Sequence, residues 1–307
     1  MELTIGLPSG KSLQEKTLQL LVQAKIQVTR KHPRACKAAI AGLPGITNAL
    51  FTKPSMIPWL VSDGDIQLGI TGMDTVREYR DYDGDGRKDI DRTDIEICAE
   101  LPYSRTTAGT TRCVIFTRVE NPVSRVEDIG RGAEIATEYC SATGSILWKY
   151  GLQGATLHKV SGDAESLVVA QKYPYGVTLT ETGDTLRVNG LKIIGEVFES
   201  STVLIATKSL LTDASTKEYV NFFAKLLMGA LAARGKTYLL MNAPAKRAPE
   251  IEAALPSLKS PTVQALADPT YVSISTVVSD ADVNELMFKL SKLGAEGFVT
   301  LPPSTVM

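Results

Sequence analysis

Residues 57–74 read Ile57-Pro-Trp-Leu-Val-Ser-Asp-Gly64-Asp-Ile66-Gln-Leu-Gly-Ile70-Thr-Gly72-Met-Asp74. Residues 57–61 have the spacing of a short helix that stops near Gly64, and 66–70 form an apolar run ending in Thr71-Gly72. A helix followed by a buried strand and a glycine turn is the repeating unit of α/β proteins with a mostly parallel sheet. The alternation holds upstream. Residues 2–7 make an apolar strand, and Ser12 with Glu15 three residues later forms a capping box at the head of a helix. Leu18, Leu21, Val22 and Ile26 supply that helix with its apolar stripe.

A second α/β unit begins near Leu101. Its strands are expected at 113–117, 134–137 and 177–180, with a helix at 141–150. Strands at 192–197 and 202–207 lead the chain back, so the first lobe is expected to be discontinuous. It should comprise 1–100 with 192–215, leaving 101–191 as the second lobe. From 216 the pattern changes. Tyr219, Phe222, Phe223, Leu226, Leu227 and Ala230 mark a long amphipathic helix. A strand at 237–241, a helix at 248–255 and a strand at 271–278 follow. Ser279 and Asp282 should head the next helix and Gly294 end it, before a closing strand at 298–301. A β-α-β-β-α-β order predicts a ferredoxin-like α+β domain over 216–307.

Composition narrows the function classes. In 307 residues there are 33 Lys plus Arg and 34 Asp plus Glu, a formal charge of −1. A protein that lives on the nucleic-acid backbone carries a basic excess, so nucleic acid is not an expected partner. No run approaches the ~18 apolar residues of a membrane span. The start, MELTIGLPSGK, has no basic segment ahead of a long apolar core, so a cytoplasmic location is expected. Four scattered cysteines and two histidines, without CxxC spacing, argue against a zinc site, a disulfide framework or a Ser-His-Asp triad.

Three loops are candidates for ligand contact. Gly6-Leu-Pro-Ser-Gly10-Lys11-Ser12 is one residue short of a Walker A loop, yet a strand, a glycine turn and a helix start still present N–H groups to an anion beside Lys11. Asp81-Tyr-Asp83-Gly-Asp85-Gly86 opens like a calcium loop, but position twelve is Arg92 where a bidentate Glu would close the cage. A solvated acidic turn is the reading preferred there. Thr182-Gly183-Asp184-Thr185 follows an apolar strand and can surround a phosphomonoester with N–H and O–H donors.

These segments together resemble the long form of the ATP phosphoribosyltransferase family. The residues that carry the resemblance are the stretch from Ile57 to Asp74, Ala136-Thr-Glu-Tyr139, and Thr182-Gly-Asp-Thr-Leu186-Arg-Val-Asn-Gly-Leu191. Met241-Asn-Ala-Pro244, Lys259-Ser-Pro-Thr-Val263 and Leu293-Gly-Ala295 continue it in order across almost the whole chain. The resemblance implies two lobes of the type II periplasmic-binding-protein-like fold with the active site in the cleft, plus a C-terminal ferredoxin-like domain that binds histidine as feedback inhibitor. It implies ATP and 5-phosphoribosyl-1-pyrophosphate as substrates, Mg²⁺ as cofactor, and a homo-oligomer, dimer or hexamer.

Carried over residue by residue, the resemblance gives Thr182, Gly183, Asp184 and Thr185 the 5-phosphate. It places Lys11, Arg112 and Glu165 as catalytic residues, with Arg112 facing triphosphate or pyrophosphate. Thr71, Gly72 and Thr178 line the cleft, and Leu258, Thr262 and Gly297 form the histidine site. No metal ligand is assigned. The chain departs from the family's pattern at Thr178, where an acid would bind ribose hydroxyls, and at Lys11, where arginine would offer a bidentate fork. Gly109-Thr-Thr-Arg112 replaces Gly-x-Cys-Arg, and the acidic stretch from Asp81 is additional. The competing readings are a non-catalytic, histidine-binding regulatory homologue and a solute receptor.

Overall fold

The computed structural model describes residues 2–80, 94–103, 111–152, 154–256 and 260–307. The acidic stretch Asp81–Asp89 lies outside them. The chain divides into two compact units, Met1–Val22 with Ile26–Ala224, and Gln23–Lys25 with Lys225–Met307.

In the first unit the chain begins with β1 (Leu3–Pro8), α1 (Lys11–Gln23), β2 (Gln27–Thr29), β3 (Lys37–Ala41) and β4 (Ile46–Thr52). Then come α2 (Ile57–Ser62), β5 (Leu68–Gly72), α3 (Met73–Arg80) and β6 (Ile95–Leu101). The second lobe holds β7 (Thr111–Arg118), β8 (Glu134–Thr137), α4 (Cys140–Lys149) and β9 (Thr156–Lys159). It continues with α5 (Ala164–Val169), β10 (Tyr175–Thr180), α6 (Asp184–Val188) and β11 (Leu191–Ser200), and β12 (Thr202–Thr207) rejoins the first lobe. The first sheet runs β2-β3-β4-β1-β5-β12-β6 and the second β11-β7-β10-β8-β9.

Both sheets are mixed, which corrects the expectation of mostly parallel pairing. The parallel pairs are β4-β1-β5 in one lobe and β10-β8-β9 in the other. The strands that cross between lobes reverse direction and pair antiparallel, β12 against β5 and β6, and β11 against β7. Residues 192–200 therefore belong to the second lobe, and the return to the first comes only at Thr202. A one-residue break, Ser201, separates β11 from β12 and marks the second crossing.

Two facing glycines set the first lobe's geometry. Gly6 of β1 pairs with Gly69 of β5, leaving a flat patch under α2. A Cβ on Gly69 would overlap Ile57 Cγ2, and one on Gly6 would overlap Ile66 Cδ1. The fully buried Ile57, Val61 and Ile66 pack there. This close approach holds the end of β5, Thr71-Gly72, at the head of the sheet. Helix α1 begins at Lys11, so Ser12 sits inside its first turn rather than capping it.

α7 (Ala214–Ala232) contains the division between the units, which falls after Ala224 rather than at 216. Beyond it lie β13 (Lys236–Pro244), α8 (Ala248–Ala254), β14 (Thr262–Ala265), β15 (Tyr271–Ser279), α9 (Val283–Lys292) and β16 (Glu296–Leu301). Their sheet order, β14-β15-β13-β16 with every pair antiparallel, is that of a ferredoxin-like domain. Alternate residues Leu239, Met241 and Ala243 of β13 and Ile274 and Val278 of β15 face Ile251 of α8 and Leu286 and Leu290 of α9. Asp282 is the N-cap of α9 without a side-chain cap bond, and Ser279 ends the strand before it. Gly294 takes φ +90° just past the helix, where a C′ glycine belongs.

Candidate active site

The turn between β10 and α6 is built from its own hydroxyls. Gly183 holds φ +81°, a left-handed conformation that glycine adopts freely. Its N–H donates to Thr180 Oγ1 at 2.9 Å, and the Asp184 N–H donates to Thr182 Oγ1 at 3.2 Å. The Thr182 hydroxyl donates to Asp184 Oδ2 at 2.9 Å. Arg187 Nη2 donates to Asp184 Oδ1 at 2.9 Å, and this guanidinium, helped by Thr182, holds the Asp184 carboxyl below the usual carboxylate range. Asp184 is thus neutralised locally, while Glu181 of the same loop lines the cleft. The Thr185 hydroxyl lines the cleft and has no hydrogen-bond partner among the described residues.

The facing wall comes from the first lobe. Thr71 Oγ1 donates to Pro54 O at 2.8 Å and lies 2.9 Å from Thr75 Oγ1, so it braces the wall from behind rather than facing the ligand. Gly72 lines the cleft, and a side chain there would collide with the Asp74 carboxylate. Asp74 is 5% exposed. Its N–H donates to Ser200 Oγ at 3.0 Å, and the Ser200 hydroxyl returns a bond to Asp74 Oδ1 at 2.9 Å. Thr111 completes this corner with a bond to Ser200 O at 3.1 Å.

Between the walls is a cleft of about 310 Å³, within the ordinary range of small-molecule sites. Its described lining is rich in hydroxyls, including those of Thr75, Thr111, Thr180, Thr182, Thr185 and Ser201. Asp74 and Glu181 are the charged residues of that lining. Among the described residues no three His, Cys, Asp or Glu side chains are grouped to hold a metal ion. Such a cleft recognises an anion by neutral donors and leaves carboxylates for ligand hydroxyls or a ligand-borne cation.

The structure brings Gly72, Thr182 and Thr185 to one cleft, with Gly183 and Asp184 shaping the loop. Thr178 shares the pleat face of Thr180, opposite Val114 on β7. Arg112 does not line the described cleft: it points to Glu196 at 3.7 Å on the neighbouring strand. Glu165 stands in the first turn of α5, also away from the lining. Lys11 opens α1, its side chain lying outside the described atoms, as does Leu258. Thr262 and Gly297 occupy β14 and β16, the two opposite edges of the C-terminal sheet, so one chain does not bring them together. Sequence reasoning missed Asp74, Thr180 and Ser200. The first-turn acid at Asp74 and the Ser200-Ser201-Thr202 break between two apolar strands were the available signals.

Two α/β lobes joined by two crossings, with a hydroxyl-lined cleft between them and a ferredoxin-like domain after them, define a periplasmic-binding-protein-like core carrying an extra α+β module. The family model described as ATP phosphoribosyltransferase matches residues 53–228, and that described as HisG, C-terminal domain, matches 233–303. ATP phosphoribosyltransferase 1 of Geobacter sulfurreducens is 33% identical over 309 residues, 99% of either chain. The ATP phosphoribosyltransferase of Pelotomaculum thermopropionicum is 29% identical over 311 residues, 100% of either chain. The ATP phosphoribosyl transferase (HisG:HisZ) complex of Thermotoga maritima shares the fold, with a TM-score of 0.59 at 20% identity over 75% of this chain and 98% of that one. The chain belongs to the ATP phosphoribosyltransferase family.

Proposed function

We propose that this protein transfers the phosphoribosyl group of 5-phosphoribosyl-1-pyrophosphate to N1 of ATP, releasing pyrophosphate, as the first step of histidine biosynthesis. The observation that carries the reading is the Thr180–Thr185 loop forming one wall of a two-lobed cleft inside the family-matched region. The adenine N1 lone pair forms the new bond to the anomeric carbon while the carbon–oxygen bond to pyrophosphate breaks. Because the ribose passes through oxocarbenium character, positioning and electrostatics do the catalytic work and no protein nucleophile is needed.

The Thr185 hydroxyl and the loop donors not engaged within the turn hold the 5-phosphate and fix the ribose. Asp74 and Glu181, acids on the two walls, suit the ribose diol and the developing positive charge. Both also fit Mg²⁺ carried in on the pyrophosphate, since that ion commonly takes one or two carboxylates and completes its shell with phosphate and water. When bound, it offsets the charge of the leaving group. Among the described residues no helix is long and apolar enough to cross a membrane. The protein acts in the cytoplasm as a homo-oligomer, and the C-terminal domain takes histidine as inhibitor.

The test is to incubate the full chain with ATP, phosphoribosyl pyrophosphate and Mg²⁺, with and without histidine, and follow phosphoribosyl-ATP. Product that histidine suppresses is the expected result. Histidine binding without product would favour a regulatory homologue, a reading motivated by Thr178 standing where the family's pattern has an acid. Thr178→Asp would then restore activity.

A further inference from the structure

Helix α4 of the second lobe is capped from the first. A helix start leaves unpaired N–H groups, normally met by the residue just ahead of it. Here that residue, Tyr139, makes no side-chain cap bond. Glu78 of α3 accepts both N–H groups instead, with Oε2 at 2.9 Å from Ser141 N and 3.2 Å from Ala142 N. The bonds join a carboxylate to the positive end of a helix dipole, the strong class of hydrogen bond. They are also sheltered, since Ser141 and Ala142 are buried and Glu78 Oε1 is a buried oxygen without a partner among the described residues.

The same helix reaches the cleft and the crossing. Four residues before Glu78, Asp74 lines the cleft and exchanges bonds with Ser200, and the Met73 N–H donates to Ser201 O at 2.8 Å. Arg77 lies 4.9 Å over the Phe198 ring of β11, a further cross-lobe contact. α3 therefore links the cleft wall, the second crossing and the head of α4 within two turns.

We propose that Glu78 is a positioning residue, holding the second lobe so that the Thr182–Thr185 loop faces Gly72 and Asp74 across the cleft. This rests on the transferase reading of that cleft. Glu78 does not line the cleft, so its effect on turnover runs through lobe placement.

The experiment uses the full chain with Glu78→Ala and Glu78→Gln, reading amide hydrogen exchange at Ser141 and Ala142 beside kcat and KM for phosphoribosyl pyrophosphate. With Glu78→Ala, exchange at both amides speeds up and KM rises roughly tenfold, kcat falling less, as the competent population shrinks. Glu78→Gln keeps an acceptor oxygen in the same shape, folds as the parent does, and gives changes between parent and Glu78→Ala. Faster exchange with unchanged KM would make the cap local helix support only and overturn the proposal. Unchanged exchange would overturn the clasp itself. A parent protein that makes no phosphoribosyl-ATP sinks the transferase reading, and this proposal with it; an active parent with an indifferent Glu78→Ala sinks this proposal alone.

Discussion

Among the described residues the Thr185 hydroxyl makes no hydrogen bond, so it is a residue from which the loop's ligand contact can be measured cleanly. Removing one hydrogen bond to a charged group costs ~1.5–3 kcal/mol, or about 10- to 100-fold in kcat/KM. Thr185→Val should show that loss against phosphoribosyl pyrophosphate with an unchanged melting temperature, because no internal bond is broken. Gly183→Ala should do the reverse in part. At φ +81° an alanine is strained by ~1–2 kcal/mol, and its Cβ would lie 3.2 Å from Ile193 Cδ1. Melting falls first, and affinity for phosphoribosyl pyrophosphate follows as the loop loses shape. A melting curve beside the kinetics separates the two variants.

At the level of elements, the head of α7 carries a testable pH signature. Asp213 accepts from the Thr216 hydroxyl, the Ser215 hydroxyl and the Thr216 N–H, which together hold its carboxyl down at about 2. A depressed carboxylate contributes stability in full above its ordinary value of about 3.9 and loses it as pH falls toward the folded value. Asp213→Ala should melt lower than the parent at pH 7, and the gap should close between about pH 4 and pH 2. A gap that persists at pH 2 would mean that packing, not the ionised cap, holds the helix start. α7 itself was legible beforehand because its apolar spacing is local, and so was the Thr182–Thr185 turn, whose hydroxyls bond to one another. What stayed hidden was non-local. The Glu78 cap spans 63 residues and the Asp74–Ser200 exchange 126, and no short window contains both partners. β11 misled for the same reason, since its apolar run fits either sheet and only antiparallel pairing with β7 decides. Arg112 has the right chemistry for a phosphate, and in this structure it lies 3.7 Å from Glu196 on that paired strand.

On the scale of the whole molecule, the C-terminal unit has a hydrophobic cluster of its own, and that predicts separable functions. The C-terminal unit rests on Leu239, Met241, Ile251, Ile274 and Leu290, all at 0% exposure, in a cluster drawn from that unit alone. A domain of this size is marginal, with a stability of only ~5–15 kcal/mol even when well packed. Ile274→Ala deletes a buried branched side chain from the central region of the sheet and should cost ~2–5 kcal/mol through lost burial and the cavity left behind. Calorimetry of the full chain should then show a transition moved to lower temperature, with the transition of the two-lobed unit in place. Above the first transition, phosphoribosyl-ATP formation should continue while suppression by histidine disappears. Loss of both together, in one shifted transition, would show that the cleft depends on the C-terminal unit for its own stability, and the histidine response would then have to be treated as a property of the whole chain.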